Sequence, residues 1–189
     1  MTGVLDTPAT VAWQARELRP LVDAVRAGVA ICPTDVSAAL VAAECLRRYR
    51  PGPDILTSEQ QQGSAERHQQ HVLHVDPAGF SIAALVWREG QQTTIHDHRC
   101  WGAVAVLRGS EEETLYATIP GIFRTRLLEL RTVVNPCGEV SSFAPPGDVH
   151  RVRNAGPGTA ISLHVYGTDL SASPSSIRRS YPDKLVTHG

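Results

Sequence analysis

The chain has 189 residues, of which 42% are hydrophobic and 20% charged, and its formal net charge at pH 7 is −1. This composition is typical of a globular domain, and because Lys and Arg form no run or stripe, nothing indicates binding to nucleic acid or to an anionic membrane. No apolar run approaches the roughly 18 residues of a membrane span, the N-terminus lacks a signal-peptide pattern, and the four cysteines form no CxxC pair, so we expect a cytoplasmic protein with reduced thiols.

The N-terminal segment, residues 1–56, is predicted to be helical. Apolar residues recur at helical spacing in VAWQARELRPLVDAVRAG, which Pro20 interrupts and Gly28 closes. A second helix is predicted to begin at a cap-like Thr34 or Asp35 and to end in arginines before Pro51. The polar stretch SEQQQGSAERHQQ then reads as a loop.

From His71 onward, nine short runs rich in Val, Ile, Leu, Thr and aromatic residues follow one another, and turn residues separate most of them. This spacing is typical of an all-β sandwich or barrel, which we place at residues 69–167. Residues 168–189 are predicted to be a C-terminal tail, rich in Ser and Pro and then basic. We therefore expect one domain over residues 1–189, with a helical front packed against a β-barrel.

The stretch GQQTTIHDHRCWG contains two histidines one residue apart, His96 and His98. On a strand, residues i and i+2 point to the same face, so the two imidazoles would stand side by side while Asp97 points to the other face. This arrangement suits a metal ion if a third ligand comes from elsewhere.

The stretch FAPPGDVHRVRN supplies that ligand as His150, which follows a Pro-Pro-Gly turn. The two stretches read G-x5-H-x-H and P-x-G-x2-H-x3-N, and they resemble the two signature motifs of the cupin superfamily of small β-barrels. Cupins commonly carry a Glu ligand that three or four intervening residues separate from the second histidine, but here those positions are Gly102 and Ala103. Three neutral imidazoles with open coordination positions are typical of a catalytic metal site.

The segments HDHRCWGAVAVLRGSEEETLY, PPGDVHRVRN and SLHVYG together resemble the cysteine dioxygenase family of thiol dioxygenases. The resemblance covers roughly residues 69–179 and implies Fe(II) bound by His96, His98 and His150. It also implies a small thiol substrate and O2, with both oxygen atoms transferred to sulfur to give a sulfinic acid. No external reductant or organic cofactor is expected.

The SLHVYG segment is implied to form a hydrogen-bonded chain at the iron. Its members Ser162, His164 and Tyr166 have i, i+2, i+4 spacing, so on a strand they line one face. In the family the Tyr hydroxyl orients the substrate, and His164 and Ser162 would orient Tyr166. The alternative is a polar ladder that only stabilises the barrel.

Two departures from the mammalian members of the family affect the expected site. Mammalian enzymes carry a Cys at the position of Ala103, so we expect no Cys–Tyr crosslink. They also bind the substrate carboxylate with an early-strand Arg, whereas Gln70 stands there in this sequence. That exchange resembles the bacterial 3-mercaptopropionate dioxygenases, whose carboxylate partner is a C-terminal Arg. Arg178 and Arg179 are the candidates, with Arg179 preferred, unless both are solvated tail residues.

The sequence thus predicts a mainly β, cupin-type double-stranded β-helix barrel with N-terminal α-helices. The expected function is that of an Fe(II)-dependent thiol dioxygenase acting on 3-mercaptopropionate, with L-cysteine next. The alternatives are a zinc- or manganese-dependent cupin isomerase and a non-catalytic cupin that binds a small molecule. The oligomeric state is not predicted.

Overall fold

The computed structural model describes residues 8–121 and 125–187, with side chains from residue 12 onward. Residues 1–7 of the predicted helical segment and 188–189 of the predicted tail lie outside this part of the chain. Two helices come first, α1 (Pro8–Val29) and α2 (Asp35–Tyr49). Neither of them combines the length and the apolar character that crossing a membrane requires.

The first helix differs from its prediction because it runs through Pro20 without a break. A proline inside a helix removes one backbone hydrogen bond and strains the preceding turn. Here Leu18, Leu21, Val22 and Val25 form one apolar face that is buried in the main hydrophobic core. We attribute the continuity of α1 to this burial, which outweighs the local cost of the proline.

The second helix begins as the sequence predicts. The Ser37 backbone N–H donates to Thr34 Oγ1 at 3.1 Å, and the Thr34 backbone N–H donates to Ser37 Oγ at 3.1 Å. This reciprocal capping box satisfies two backbone donors at the start of the helix. The helix ends at Tyr49, just before Arg50 and Pro51.

All nine predicted β-runs form strands, and two further strands lie in the segment predicted as a tail. The strands of the described residues are β1 (Gln69–Asp76), β2 (Phe80–Trp87), β3 (Ile95–His98), β4 (Gly102–Arg108), β5 (Ser110–Ile119), β6 (Arg126–Pro136), β7 (Val140–Phe143), β8 (His150–Arg153), β9 (Ala160–Tyr166), β10 (Ile177–Tyr181) and β11 (Val186–Thr187).

The strands form two sheets that enclose the barrel interior. The first sheet has the order β1-β2-β9-β4-β7, and the second has the order β10-β3-β8-β5-β6-β11. Every residue of β2 and β9 is buried, because one face of the first sheet packs on the helices and the other lines the barrel. The candidate ligands lie on β3 and β8 of the second sheet, opposite Tyr166 on β9. The site therefore lies between the two sheets.

Candidate metal centre

Strand pairing brings the three predicted ligands together. His96 on β3 is directly opposite His150 on β8, and His98 lies two residues further along β3. The ring centroids are 4.6 Å apart for His96 and His150, 4.8 Å for His96 and His98, and 5.0 Å for His98 and His150. All three rings are buried, and their ligand atoms lie within 4.8 Å of one another. The predicted triad is thus a cluster with the spacing that a metal ion needs.

Each histidine turns its Nδ1 atom outward to an acceptor. His96 Nδ1 lies 2.9 Å from the Thr94 carbonyl oxygen, His98 Nδ1 lies 2.9 Å from Asp148 Oδ2, and His150 Nδ1 lies 2.6 Å from Glu113 Oε1. These acceptors hold the Nδ1–H tautomer and leave each Nε2 lone pair free to coordinate. The Nε2 atoms of His96 and His150 face each other at 3.2 Å. The donor set therefore fits a divalent metal ion.

Burial keeps His96 and His98 neutral at pH 7. Burial, together with repulsion from His150 and His98, lowers the pKa of His96 to about 3. Burial also lowers the pKa of His98 below its ordinary value, although Asp148 opposes this. A neutral imidazole is the form that binds a metal, so neither His96 nor His98 has to lose a proton at neutral pH.

The two carboxylates behind the histidines stay ionised despite their burial. Burial raises the pKa of Asp148, but hydrogen bonds from the ring and backbone of His98 hold it below its usual range. The pKa of Glu113 is likewise raised by burial and held below its usual range by His150. Asp148 follows Gly147, whose φ of +102° favours glycine at the turn into β8.

The three residues of the SLHVYG segment form a continuous hydrogen-bonded chain. Ser162 Oγ lies 2.8 Å from His164 Nε2, and His164 Nδ1 lies 2.9 Å from the Tyr166 hydroxyl. Burial lowers the pKa of His164 to about 3 and raises the pKa of Tyr166, so both side chains are neutral at pH 7. His164 and Tyr166 line the same cavity of about 540 Å³ as the three histidines.

Asp97 lies on the face of β3 that the sequence predicts. Asp97 points to the face opposite the histidines, where its Oδ2 accepts a hydrogen bond from the Tyr181 hydroxyl at 2.9 Å. Ala103 is buried in the main core. Among the described residues, the cluster that could hold a metal contains the three histidines and no carboxylate ligand.

The structure does not bring the two tail arginines, the expected carboxylate partners, to the cavity. Arg178 forms an ion pair with Asp97 on the opposite face of β3, and Arg179 lies exposed with its guanidinium 5.8 Å from the centre of the Tyr181 ring. The physical reason is that β10 pairs with β3 through a register shift between Ile177 and Arg179. Neither arginine lines the cavity or the cleft that leads to it.

A wider cleft of about 1580 Å³ opens at the mouth of the cavity and includes His96, His98 and Tyr166 in its walls. Gln70 lies there, and its Nε2 donates to the Pro174 carbonyl oxygen at 3.3 Å. Arg67, which sequence reasoning missed, also lines this cleft. Arg67 lies three residues before Gln70 in a polar loop, and nothing in that stretch of sequence indicates a binding residue.

Glu111, Glu113 and Asp148 were also not predicted from the sequence. The two glutamates belong to a run of three acidic residues that follows a glycine, which reads as a solvated turn. The alternation of side chains along a strand could have indicated their role, because it places Glu111 and Glu113 on the same face of β5. For Asp148, the signal is its place two residues before a ligand.

The chain is similar to several solved structures at low sequence identity. Similar structures include an RmlC-like cupin protein from Desulfovibrio desulfuricans, with 20% identity over 56% of this chain and 87% of that one at a TM-score of 0.40. A cupin superfamily protein from Desulfitobacterium hafniense has 13% identity over 65% of this chain and 94% of that one at a TM-score of 0.45. These likenesses concern the fold alone. The helices, the eleven strands of the described residues and the two sheets confirm the predicted mainly β, cupin-type double-stranded β-helix with N-terminal helices.

The sequence model of cysteine dioxygenase type I matches residues 60–176. This match spans more than half of the chain and includes the three clustered histidines and the Ser162–His164–Tyr166 chain. It ends before Arg178 and Arg179, the two residues that the fold places away from the cavity. The protein belongs to the cysteine dioxygenase type I family.

Proposed function

We propose that the protein is an Fe(II)-dependent thiol dioxygenase. It adds both atoms of O2 to the sulfur of a small carboxylate-bearing thiol and releases the sulfinic acid, with 3-mercaptopropionate preferred and L-cysteine next. The observation that carries this proposal is the convergence of three imidazoles, each with its Nδ1 next to an acceptor, in the cavity that Tyr166 also lines. Membership of the cysteine dioxygenase type I family supports it.

The donor set fits the proposed chemistry. Three neutral ligands leave the full charge of a divalent ion uncompensated, which favours a thiolate as a further ligand. Iron(II) held by these nitrogens would supply the site at which thiol and dioxygen react. The overall reaction balances without a reductant, because the sulfur loses the four electrons that dioxygen gains and the thiol proton stays on the product.

The chain's own residues bind and orient the substrate. Leu85, Val104 and Phe143 form apolar walls of the cavity and limit the access of water to the sulfur. The Tyr166 hydroxyl, held by His164, offers a hydrogen bond within that cavity. At the mouth, Arg67 supplies the positive charge that a substrate carboxylate needs.

The preference for 3-mercaptopropionate rests on Gln70. Mammalian members of the family carry Arg at that position, and this chain instead has a neutral amide at the cleft. The resemblance to the bacterial 3-mercaptopropionate dioxygenases follows from this exchange. A carboxylate bound by Arg67 rather than by an arginine on β1 would approach from the outer part of the cleft.

Oxygen uptake by the Fe(II)-loaded protein tests the proposal. 3-Mercaptopropionate, L-cysteine, cysteamine and mercaptosuccinate are compared in parallel, with the product identified by mass and bound metal measured before and after. One sulfinate formed per O2 consumed, fastest with 3-mercaptopropionate, is the expected result, and Tyr166→Phe should lower kcat while retaining iron. Uptake that is fastest with cysteine would overturn the Gln70 argument. No uptake despite a full complement of iron would overturn the dioxygenase proposal itself.

A further inference from the structure

Glu111 on β5 is a buried carboxyl group that the mechanism above does not use. The residue is only 3% exposed and lines the cavity that contains the three histidines. Its Oε1 atom has no hydrogen-bond partner among the described residues. A buried, unsatisfied carboxyl oxygen is costly, so its position calls for a physical explanation.

The neighbours of Glu111 connect it to Tyr166. The Ser162 hydroxyl and the Trp87 indole face the Glu111 carboxyl group closely enough to lower its pKa, and the Trp87 indole N–H donates to Ser162 Oγ at 3.4 Å. Ser162 Oγ is also 2.8 Å from His164 Nε2, whose ring continues to the Tyr166 hydroxyl. Glu111 therefore lies beside the inner end of a hydrogen-bonded chain that leads from Ser162 through His164 to the Tyr166 hydroxyl.

The chain can run in only two directions, because a neutral imidazole carries one N–H. If Glu111 is neutral, it donates to Ser162, Ser162 donates to His164 Nε2, and His164 Nδ1–H donates to Tyr166. The Tyr166 O–H is then free to donate into the cavity. If Glu111 is ionised, each bond reverses, Tyr166 donates to His164 Nδ1, and only its oxygen lone pairs face the cavity.

We propose that Glu111 is a positioning residue that sets the direction of this hydrogen-bonded chain and thereby decides whether Tyr166 presents a donor or an acceptor to the cavity. The direction of the chain does not depend on the proposed function. Its consequence for catalysis does, because a donor suits an anionic group in the cavity and an acceptor does not.

The charged and titratable groups around Glu111 place its pKa near neutrality, so both directions of the hydrogen-bonded chain are accessible near pH 7. Burial, supported by repulsion from Glu113, raises the pKa of Glu111 to about 7, while Ser162, Trp87 and His150 oppose the increase. His164 faces His98, His150 and His68, and stays neutral. The neutral form of Glu111 predominates below its pKa. Tyr166 is therefore expected to present a donor at pH values below the pKa of Glu111 and an acceptor at pH values above it.

The test reads the tautomer of His164 directly in the metal-free protein. Long-range proton–nitrogen NMR on protein labelled with ¹⁵N-histidine shows which ring nitrogen carries the proton, and His164→Gln assigns the signal. In the wild type we expect Nδ1–H at about pH 5.5 and Nε2–H at about pH 8.5. Glu111→Gln, close to isosteric, should abolish this pH-dependent exchange. Ser162→Ala, which cuts the connection, should abolish it as well.

Glu112→Gln is the matched control. Glu112 is the next residue on β5, forms an ion pair with Arg153 at 3.2 Å and points away from the cavity, so its variant should exchange as the wild type does. A single His164 tautomer in the wild type across this range would overturn the proposal, as would an unchanged exchange in Glu111→Gln. Tautomer exchange in a protein that oxidises no thiol would leave this inference standing and remove only the proposed function.

Discussion

At the residue scale, the hydrogen-bond acceptors behind the histidines determine which ring nitrogen of each histidine carries the proton. Asp148 receives both the ring and the backbone N–H of His98 on one oxygen, each at 2.9 Å. Glu113 accepts from the ring of His150, and the Thr94 carbonyl oxygen accepts from the ring of His96. Without these acceptors, each ring could protonate its Nε2 and turn a proton towards the metal position.

Asp148→Asn tests this control with little change in shape. The amide keeps one oxygen acceptor but loses the charge that makes the His98 ring a stronger ligand, so we expect Fe(II) affinity to fall about 10- to 100-fold. Competition with a chromophoric chelator under argon measures the change. Asp183→Asn, which removes an exposed carboxylate from Arg151, serves as the control and should leave the affinity unchanged. Equal losses in both variants would contradict a specific role for Asp148.

The carboxylate partner of the substrate is a second question at this scale. Arg67 lines the cleft, whereas Arg179 is exposed beside Tyr181. Arg67→Gln is expected to raise the KM for 3-mercaptopropionate roughly tenfold, a loss at the low end for a charged hydrogen bond because the cleft is open to solvent. The KM for cysteamine, which has no carboxylate, should not change. If Arg179→Gln raised the KM instead, the earlier expectation of a C-terminal arginine would be restored.

At the element scale, the helices are attached to the barrel by an ion pair as well as by apolar packing. Arg26 on α1 donates to Asp76 at the end of β1 at 2.7 Å, and the Asp76 side chain is fully buried. His74 Nε2 lies 3.0 Å from the same carboxylate, and the Ala78 N–H donates to its other oxygen at 2.9 Å. Burial raises the pKa of Asp76, but these partners together hold it at about 2.

Asp76→Asn should destabilise the fold in a pH-dependent way. The folded pKa is below the unfolded value, so the contribution of Asp76 is complete above about pH 4 and is lost as the pH falls towards 2. We expect the variant to lose about 1–2 kcal/mol of unfolding free energy at pH 7. Urea denaturation at several pH values measures the difference from wild type, which should shrink in acid. Asp23→Asn, which removes only the exposed partner of Arg26, should change stability by less than about 0.5 kcal/mol. A difference that is constant with pH would contradict the argument.

The strands of the barrel could be predicted because turn residues separate most of the runs of β-forming residues. The metal ligands could be predicted for a related reason, since the spacing of His96 and His98 fixes their common face on any strand. The pairing of His96 with His150 depends on the order of strands in the sheet, and only the resemblance to a family indicated it.

The C-terminal arginines could not be placed from the sequence. Their direction depends on a register shift where β10 joins β3, and a shift of one residue sends every following side chain to the other face. Glu111 and Arg67 were missed for a different reason. Each lies in a polar run that is typical of a solvated surface, and only the folded chain shows that Glu111 is buried and that Arg67 borders the cleft.

At the scale of the whole molecule, the metal site lies where two strands of the second sheet pair over a short length. Strand β3 pairs with β8 through a single residue pair, His96 with His150, whereas β5 and β6 pair along most of their length. A metal ion bound by both strands would therefore add a connection across this short pairing. Binding to the folded state alone also stabilises it by mass action.

Metal loading should raise the Tm of the protein through this connection. At a free metal concentration about 100 times Kd, binding adds about 2.7 kcal/mol, which corresponds to roughly 5–10 °C for a domain of this size. Calorimetry with Fe(II) under argon, or with Co(II) as an air-stable substitute, measures the increase. His150→Ala should abolish it because one of the two strands loses its ligand. His74→Gln removes a histidine that lies on β1 outside the cluster, so the increase should persist even if the starting Tm falls. An equal increase in His150→Ala would show that the metal binds elsewhere, and the connection between β3 and β8 would then have to be abandoned.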